Sequence, residues 1–147
     1  MAADVFASST TMDLLTGNAY DQDTGGTGWL IGFSEWTRLP GSDLLHVPAD
    51  QPVTGLCFKW YDHPEGHASG DKPVSVGRTF SLLATAGSVF RYEISTDPGY
   101  ASEATRTVVL QRPGDYIVWG PGIYHRWTCE RRSTILTVRW VPAGEEG

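Results

Sequence analysis

The chain has 147 residues, a mass of 16.1 kDa and a formal net charge of -6. That length suits one domain and leaves no room for a second, because single hydrophobic cores commonly run to ~100–150 residues. With a pI near 5.0 and only 11 Lys and Arg residues, the chain lacks the basic surface that nucleic acid binding requires. Its 17 Gly, 9 Pro and 6 Trp predict many turns between short strands, which is typical of all-β domains.

Membrane and secretory signals are absent from the sequence pattern. No apolar run approaches the ~18–20 residues of a membrane span. The first basic residue is Arg38, so the start lacks the positive region of a signal peptide. The chain has two cysteines, Cys57 and Cys129, which are too few for a disulfide framework. The sequence is compatible with a single disulfide between them. We therefore expect a cytoplasmic protein with no membrane or nucleic acid partner.

The first 27 residues differ in composition from the rest. Residues 1–27 are rich in Ser, Thr, Gly and Asp and predict a partly irregular N-terminal arm. A helical turn at residues 13–15 and docking of the arm across a sheet edge are both compatible with this pattern. Residues 28–142 form the predicted barrel domain, and residues 143–147 form a short tail.

From Trp29 onward the sequence predicts strands separated by Gly/Pro turns. The predicted strands are 29–33, 55–63, 78–85, 88–94, 105–110, 115–119, 123–129 and 133–141. The segments 78–85 and 88–94 are expected to form a hairpin about Ala86-Gly87. No window has a helical period over three turns. Seven or eight short strands indicate a sandwich or barrel, with a lipocalin-like barrel as the nearest rival to a jelly roll.

One segment resembles a known family. The run from Gly114 to Trp127 reads GDYIVWGPGIYHRW and resembles the second motif of the cupins, with Gly114, Gly122 and His125 in the motif positions. Proline stands one place late, at Pro121. The resemblance extends from about residue 29 to residue 140 and implies an all-β, cupin-type double-stranded β-helix, that is, a jelly-roll barrel. The cupins it resembles most are short bacterial ones with no uniform activity.

The first cupin motif is degenerate. The family pattern places one residue between two histidines, whereas this sequence has three, in His63-Pro64-Glu65-Gly66-His67. If Gly87 is the motif glycine, Phe80 stands at the position of the family's glutamate. The resemblance implies a divalent metal, Fe, Mn, Ni or Zn, held by His125 with His63, His67 or Glu65. A site without any cofactor is the alternative.

Alternation along the strands predicts a pocket whether or not a metal is present. His125 and Trp127 share one strand face, and Lys59 and Tyr61 share a face with Cys57. His125 is the expected acid/base group, with Tyr61 and Lys59 as its catalytic partners. The residues expected to bind substrate are Trp119, Trp127, Tyr124, Arg139 and Cys57. A register change of one residue would place Phe58 and Trp60 in the pocket instead of Lys59 and Tyr61.

Three functions are compatible with these residues. The first is a metal-dependent enzyme that oxidises, isomerises or decarboxylates a small organic substrate. The second is a metal-free cyclase or isomerase of specialised metabolism that uses His and Tyr as acid/base groups. The third is a non-catalytic protein that binds a small ligand. The resemblance also implies a homodimer, for which Leu56, Phe58 and Trp60 would supply an apolar face.

Overall fold

Two antiparallel sheets enclose the interior of the protein in the computed structural model, which describes residues 12–146. The strands of this part of the chain are β1 (Leu14–Asn18), β2 (Val53–His63), β3 (Arg78–Leu83), β4 (Val89–Ser95), β5 (Thr105–Leu110), β6 (Asp115–Trp119), β7 (Tyr124–Arg131) and β8 (Ser133–Pro142). Two short 3-10 helices span Glu35–Thr37 and Ser102–Ala104. None of the helices in residues 12–146 has the length and apolarity needed to cross a membrane.

The order of the strands identifies the fold. The first sheet has the order β1-β6-β3-β8-β2 and the second the order β5-β4-β7, with all pairs antiparallel. The second sheet is extended beside β7 by an isolated bridge between Ala68 and Thr128. Strands that follow one another along the chain repeatedly lie in opposite sheets, which is the arrangement of a jelly roll. The predicted all-β jelly-roll barrel is therefore confirmed.

The prediction that β3 and β4 pair as a hairpin is wrong. β3 pairs with β6 and β8 in the first sheet, whereas β4 pairs with β5 and β7 in the second. The turn at Ala86-Gly87, where Gly87 has a φ of 72°, carries the chain from one sheet to the other. A tight turn between two strand patterns does not distinguish a hairpin from such a crossing.

The N-terminal region also differs from part of the prediction. Residues 14–18 form an edge strand on β6 rather than a helical turn, so the arm docks across the sheet edge. The strand expected at 29–33 is wrong, because only Gly32 makes a bridge, to His46. Residues 1–11 of the predicted arm and residue 147 of the predicted tail lie outside the described residues.

The first sheet is covered on both faces except along its edge strand β2, which is largely exposed. Its inner face packs against the second sheet through a core of Leu83, Phe90, Tyr92, Ile94, Leu110, Ile117, Trp119, Ile123, Cys129 and Ile135. On its outer face, the segment 44–47 covers Phe80, Val118 and Val138. Arg78 fixes this segment by donating hydrogen bonds to the backbone carbonyls of Asp43, Leu44 and His46.

The inner faces of β3 and β8 change character along their length. On β8 the inward residues are Ile135, Thr137 and Arg139, and the register pairs them with Leu83, Ser81 and Thr79 of β3. The barrel interior is therefore apolar at one end and polar at the other. The polar end holds the cavity described next.

Candidate functional site

A cavity of about 290 Å³ lies in the polar half of the barrel, between the two sheets. It is lined by Lys59, Lys72, Pro73, Val74, Thr79, Ser81, Tyr92, Trp119, His125, Trp127, Thr137 and Arg139. This volume is at the lower end of the range of ligand sites, ~300–1,000 Å³, and suits a small molecule.

The cavity brings together five of the residues that the sequence singles out: Lys59, Trp119, His125, Trp127 and Arg139. The other three residues predicted to act in catalysis or substrate binding are outside its lining. Cys57 is exposed on β2, Tyr61 is 44% exposed, and Tyr124 stands at the start of β7. The strand β2 is exposed along almost its whole length, since it is the outermost strand of its sheet.

The segment 69–75 supplies Lys72, which the sequence patterns did not identify. Ser69 exchanges two hydrogen bonds of 3.0 Å with the backbone of Trp127. Further along, the Ser75 N–H donates to the carbonyl of Ile123, and the Gly122 N–H donates to the carbonyl of Ser75. One end of the segment is thus fixed to β7 and the other to the turn before β7, which holds Lys72 at the cavity that His125 lines.

His125 follows a turn that orients it toward the cavity. Gly122 has a φ of 82°, a left-handed conformation that glycine adopts without strain. The imidazole ring lies 4.8 Å from the Trp119 ring, centroid to centroid. The indole of Trp119 is itself fixed, because its Nε1–H donates to Ser75 Oγ at 2.9 Å. The His125 ring is therefore held against a rigid aromatic wall.

The electrostatics of the cavity keep His125 neutral. Burial lowers its pKa to about 4, and the charges of Lys72, Arg139 and Lys59 act in the same direction. Its Nδ1 is buried without a hydrogen-bond partner among residues 12–146. A neutral imidazole has one donor and one acceptor nitrogen, so this atom is free to bond to a ligand.

The predicted metal ligands are not brought together. Within residues 12–146, no three His, Cys, Asp or Glu side chains are placed to hold a metal ion. His63 and His67 face each other with their Nδ1 atoms 2.9 Å apart and pack on the Trp127 ring, and Glu65 is exposed. His125 is instead surrounded by cations, which disfavour a metal ion electrostatically. These residues do not fit a metal centre at His125.

Phe80, which stands at the position of the cupin glutamate if Gly87 is the motif glycine, faces away from the cavity. Its ring packs on Tyr116 at 5.3 Å in the outer core. Its neighbours Thr79 and Ser81 are the residues of β3 that line the cavity. A glutamate at position 80 would therefore be on the wrong face of the strand to serve the site.

The protein is expected to become less stable as the pH falls, because the folded state holds His63 in its neutral form. Burial and the charge of His67 lower the pKa of His63 to about 4, below the ordinary 6.5. The unfolded chain then binds a proton more readily than the folded one, so stability is lost as pH falls from about 6.5 to 4. We expect His63→Asn to reduce the loss in unfolding free energy between pH 7 and 5 by about 2 kcal/mol. Urea unfolding at the two pH values measures it, and an unchanged pH dependence in the variant would contradict the assignment.

The comparisons with known proteins concern the fold. No protein-family model matches the chain, and no curated protein sequence matches it. Three solved structures with similar folds are Streptomyces albus HEPD with its substrate 2-hydroxyethylphosphonate and Fe(II) bound, a cupin superfamily protein from Desulfitobacterium hafniense, and a dTDP sugar isomerase from Desulfovibrio desulfuricans.

All three are distant from this chain. Sequence identities are 14%, 11% and 13%, and TM-scores are 0.45, 0.44 and 0.44, in the same order. The matches cover 57%, 87% and 75% of this chain, and 17%, 77% and 76% of the respective structures. The chain thus spans only about a sixth of the first. By the order of its own strands and by its second motif, the chain resembles the cupins in fold.

Proposed function

We propose that the protein is a metal-free acid–base enzyme that abstracts a proton next to a carbonyl group of a small molecule, as isomerases and cyclases do. The observation that carries this proposal is the neutral His125, which lines an aromatic, cation-lined cavity and whose Nδ1 has no hydrogen-bond partner among residues 12–146. A buried polar atom without a partner is rare unless a ligand or water completes its bonding.

The residues around His125 support proton abstraction. The unprotonated imidazole accepts the proton from the carbon next to the carbonyl, and the electron pair moves onto the carbonyl oxygen to give an enolate. Lys59 and Arg139 line the same cavity and would stabilise that oxygen anion. The imidazolium then returns the proton to a different carbon or to the same one. Tyr61 has no part in this proposal because it is outside the lining.

Solvent deuterium exchange tests this proposal without knowledge of the natural substrate. Phenylpyruvate is incubated with the protein in deuterium oxide, and loss of its C3 proton signal is followed by NMR. Enzyme-dependent exchange that His125→Gln abolishes would support an acid–base site. Binding of phenylpyruvate with no exchange above buffer would favour the non-catalytic ligand-binding function.

We propose in addition that the protein forms a homodimer through β2. One edge of β2 is unpaired among the described residues, because only β8 hydrogen-bonds to it. On the outer face of this strand Leu56, Phe58 and Trp60 are 63%, 68% and 66% exposed. We call these three residues the β2 apolar triplet.

A second copy of the chain fits this edge by symmetry. In an antiparallel pair of β2 strands centred on Phe58, Leu56 of one copy opposes Trp60 of the other, so apolar residues meet along the whole triplet. Lys59 then faces Cys57 and not a second lysine. A twofold pairing centred one residue later would oppose two copies of Lys59, which like-charge repulsion disfavours.

Phe58→Lys is expected to convert the dimer to a monomer, because it places two cations against each other at the twofold axis. Sedimentation at micromolar concentration measures the change. Tyr20→Lys is the matched control, since Tyr20 is an exposed aromatic residue that follows β1, at the opposite edge of the sheet. A monomeric wild-type protein, or a Phe58→Lys protein that stays dimeric, would contradict the proposal.

A further inference from the structure

The charge of the cavity is opposite to that of the protein. The chain carries a net charge of -6, but Lys59, Lys72 and Arg139 line its cavity, and none of the Asp and Glu residues between 12 and 146 does. Lys59 and Lys72 are the only lysines in the sequence. They are 13 positions apart, on different elements, and converge on one cavity of about 290 Å³. All three residues are exposed to solvent, so a small anion has access to them.

None of these three cations forms a salt bridge with a carboxylate of residues 12–146. Of the other eight basic residues, six form ion pairs in this part of the chain, Arg38, Arg78, Arg91, Arg112, Arg126 and Arg132, whereas Arg106 and Arg131 do not. The cavity cations also repel one another. The pKa of Lys59 is lowered, first by desolvation and then by the charges of Lys72 and Arg139. The ion pairs found within residues 12–146 thus include none of the cations that share this cavity.

Two buried polar atoms of the same cavity have no hydrogen-bond partner in the described part of the chain, residues 12–146. They are Nδ1 of His125 and Oγ1 of Thr79, whose side chains both line it. Either atom can donate a hydrogen bond, because Nδ1 carries the proton in the tautomer whose Nε2 is unprotonated and free to act as the base. Three cations and two free donors around one space are what an oxyanion with several lone pairs would satisfy.

We propose that the molecule bound in this cavity is a small organic oxyanion, with its carboxylate or phosphate group on Lys59, Lys72 and Arg139 and a flat apolar body against Trp119 and Trp127. This inference rests on the proposed function, because it names the substrate class of the same site. The two indoles supply the aromatic walls, and the Trp119 ring is fixed by its hydrogen bond to Ser75. The small volume excludes large polyanions.

Anion binding and the basicity of His125 are coupled. The cations that bind the oxyanion are the ones that disfavour a proton on His125. A bound negative charge offsets them, so it favours the imidazolium, and by linkage protonation of His125 strengthens anion binding. The other titratable group of the lining, the Tyr92 phenol, stays neutral because burial raises its pKa. Binding of an anionic substrate would therefore raise the pKa of His125, the base that abstracts the proton from that substrate.

Three probes test the inference on the full chain: benzoate, phenyl phosphate and the neutral benzamide. Binding is measured by NMR titration of the His125 ring resonances at pH 7 and at two salt concentrations. We expect one or both anions to bind at least about tenfold more tightly than benzamide, and more weakly at high salt. The ratio of benzoate to phenyl phosphate affinity distinguishes a carboxylate site from a phosphate site.

Neutral variants of similar shape locate the binding groups. Lys59→Met, Lys72→Met and Arg139→Met are each expected to weaken anion binding by about tenfold and to leave benzamide binding unchanged. Arg106→Met is the matched control, because Arg106 is an exposed arginine outside the cavity lining. Circular dichroism confirms that each variant is folded. Equal affinity for benzamide and the anions, or an anion preference that survives all three substitutions, would overturn the inference.

The failure of this inference is distinguishable from failure of the proposed function. If phenylpyruvate and its methyl ester exchange equally fast and both need His125, the acid–base function stands and the oxyanion inference is overturned. If the anion preference depends on the three cations but His125→Gln leaves exchange unchanged, the oxyanion site stands and the acid–base function is wrong.

Discussion

His125→Gln is expected to lower the rate of solvent deuterium exchange into phenylpyruvate by ~10²–10⁴-fold, the usual contribution of a positioned general base. Glutamine keeps a hydrogen-bonding group of similar size in the cavity but cannot accept the proton. The ring it replaces packs on Trp119 and is half-buried, so the substitution leaves the wall of the cavity in place. NMR integration of the C3 proton signal against time gives the rate.

Two controls separate loss of the base from loss of the site. Arg106→Met is expected to exchange at the wild-type rate, since Arg106 lies outside the cavity. Benzoate is expected to protect the wild-type protein from exchange by occupying the same space. A His125→Gln protein that exchanges as fast as the wild type would show that the proton is abstracted elsewhere.

Gly77→Ala is expected to destabilise the protein by about 3–4 kcal/mol. Gly77 has a φ of 69°, which L-residues adopt at a cost, and an added Cβ would lie 2.5 Å from the backbone oxygen of Trp140. That oxygen belongs to β8, so relief would require separation of the segment before β3 from its neighbouring strand. Urea unfolding measures the change through the midpoint at constant slope.

Gly87→Ala separates the conformational effect from the steric one. Gly87 has nearly the same φ, 72°, but a Cβ there meets nothing within 4 Å. The expected cost is therefore about 1 kcal/mol, the penalty of the left-handed conformation alone. Equal destabilisation by the two substitutions would contradict the claim that contact with β8 fixes Gly77.

The strands were predictable because turns and alternation are local properties. The segments 105–110 and 115–119 were predicted with the bounds that β5 and β6 have. The pairing of strands was less predictable. Ala86-Gly87 could close a hairpin or carry the chain between sheets, and the choice depends on which surfaces are buried elsewhere. An apolar run such as 29–33 can likewise bury its side chains against a sheet without pairing with a strand of that sheet.

Half of the site followed from the strand patterns. His125, Trp127 and Lys59 are in the cavity because alternation holds along β7 and β2. Lys72 was not identified because it lies in a loop, and loops lack the regular alternation of side chains that predicts which residues of a strand face inward. Its position depends on two remote sets of hydrogen bonds, at Ser69 and Ser75.

The metal expectation depended on spacing, and spacing does not give the direction of a side chain. His63 and His67 are close together, as their sequence separation allows, but they pack on Trp127 and Tyr61. His125, two positions before Trp127, is instead beside Trp119 and three cations. The histidines of the two motifs therefore lie in two different environments: His63 and His67 in an aromatic cluster, and His125 in a cavity lined by cations.

The titration of His125 by NMR tests the central claim most directly, since a neutral imidazole among cations underlies both the acid–base function and the oxyanion site. We expect a pKa of about 4 in the free protein, a higher pKa with saturating benzoate, and a higher pKa in Lys72→Met. A His125 pKa near the ordinary 6.5 that neither benzoate nor Lys72→Met alters would contradict the account.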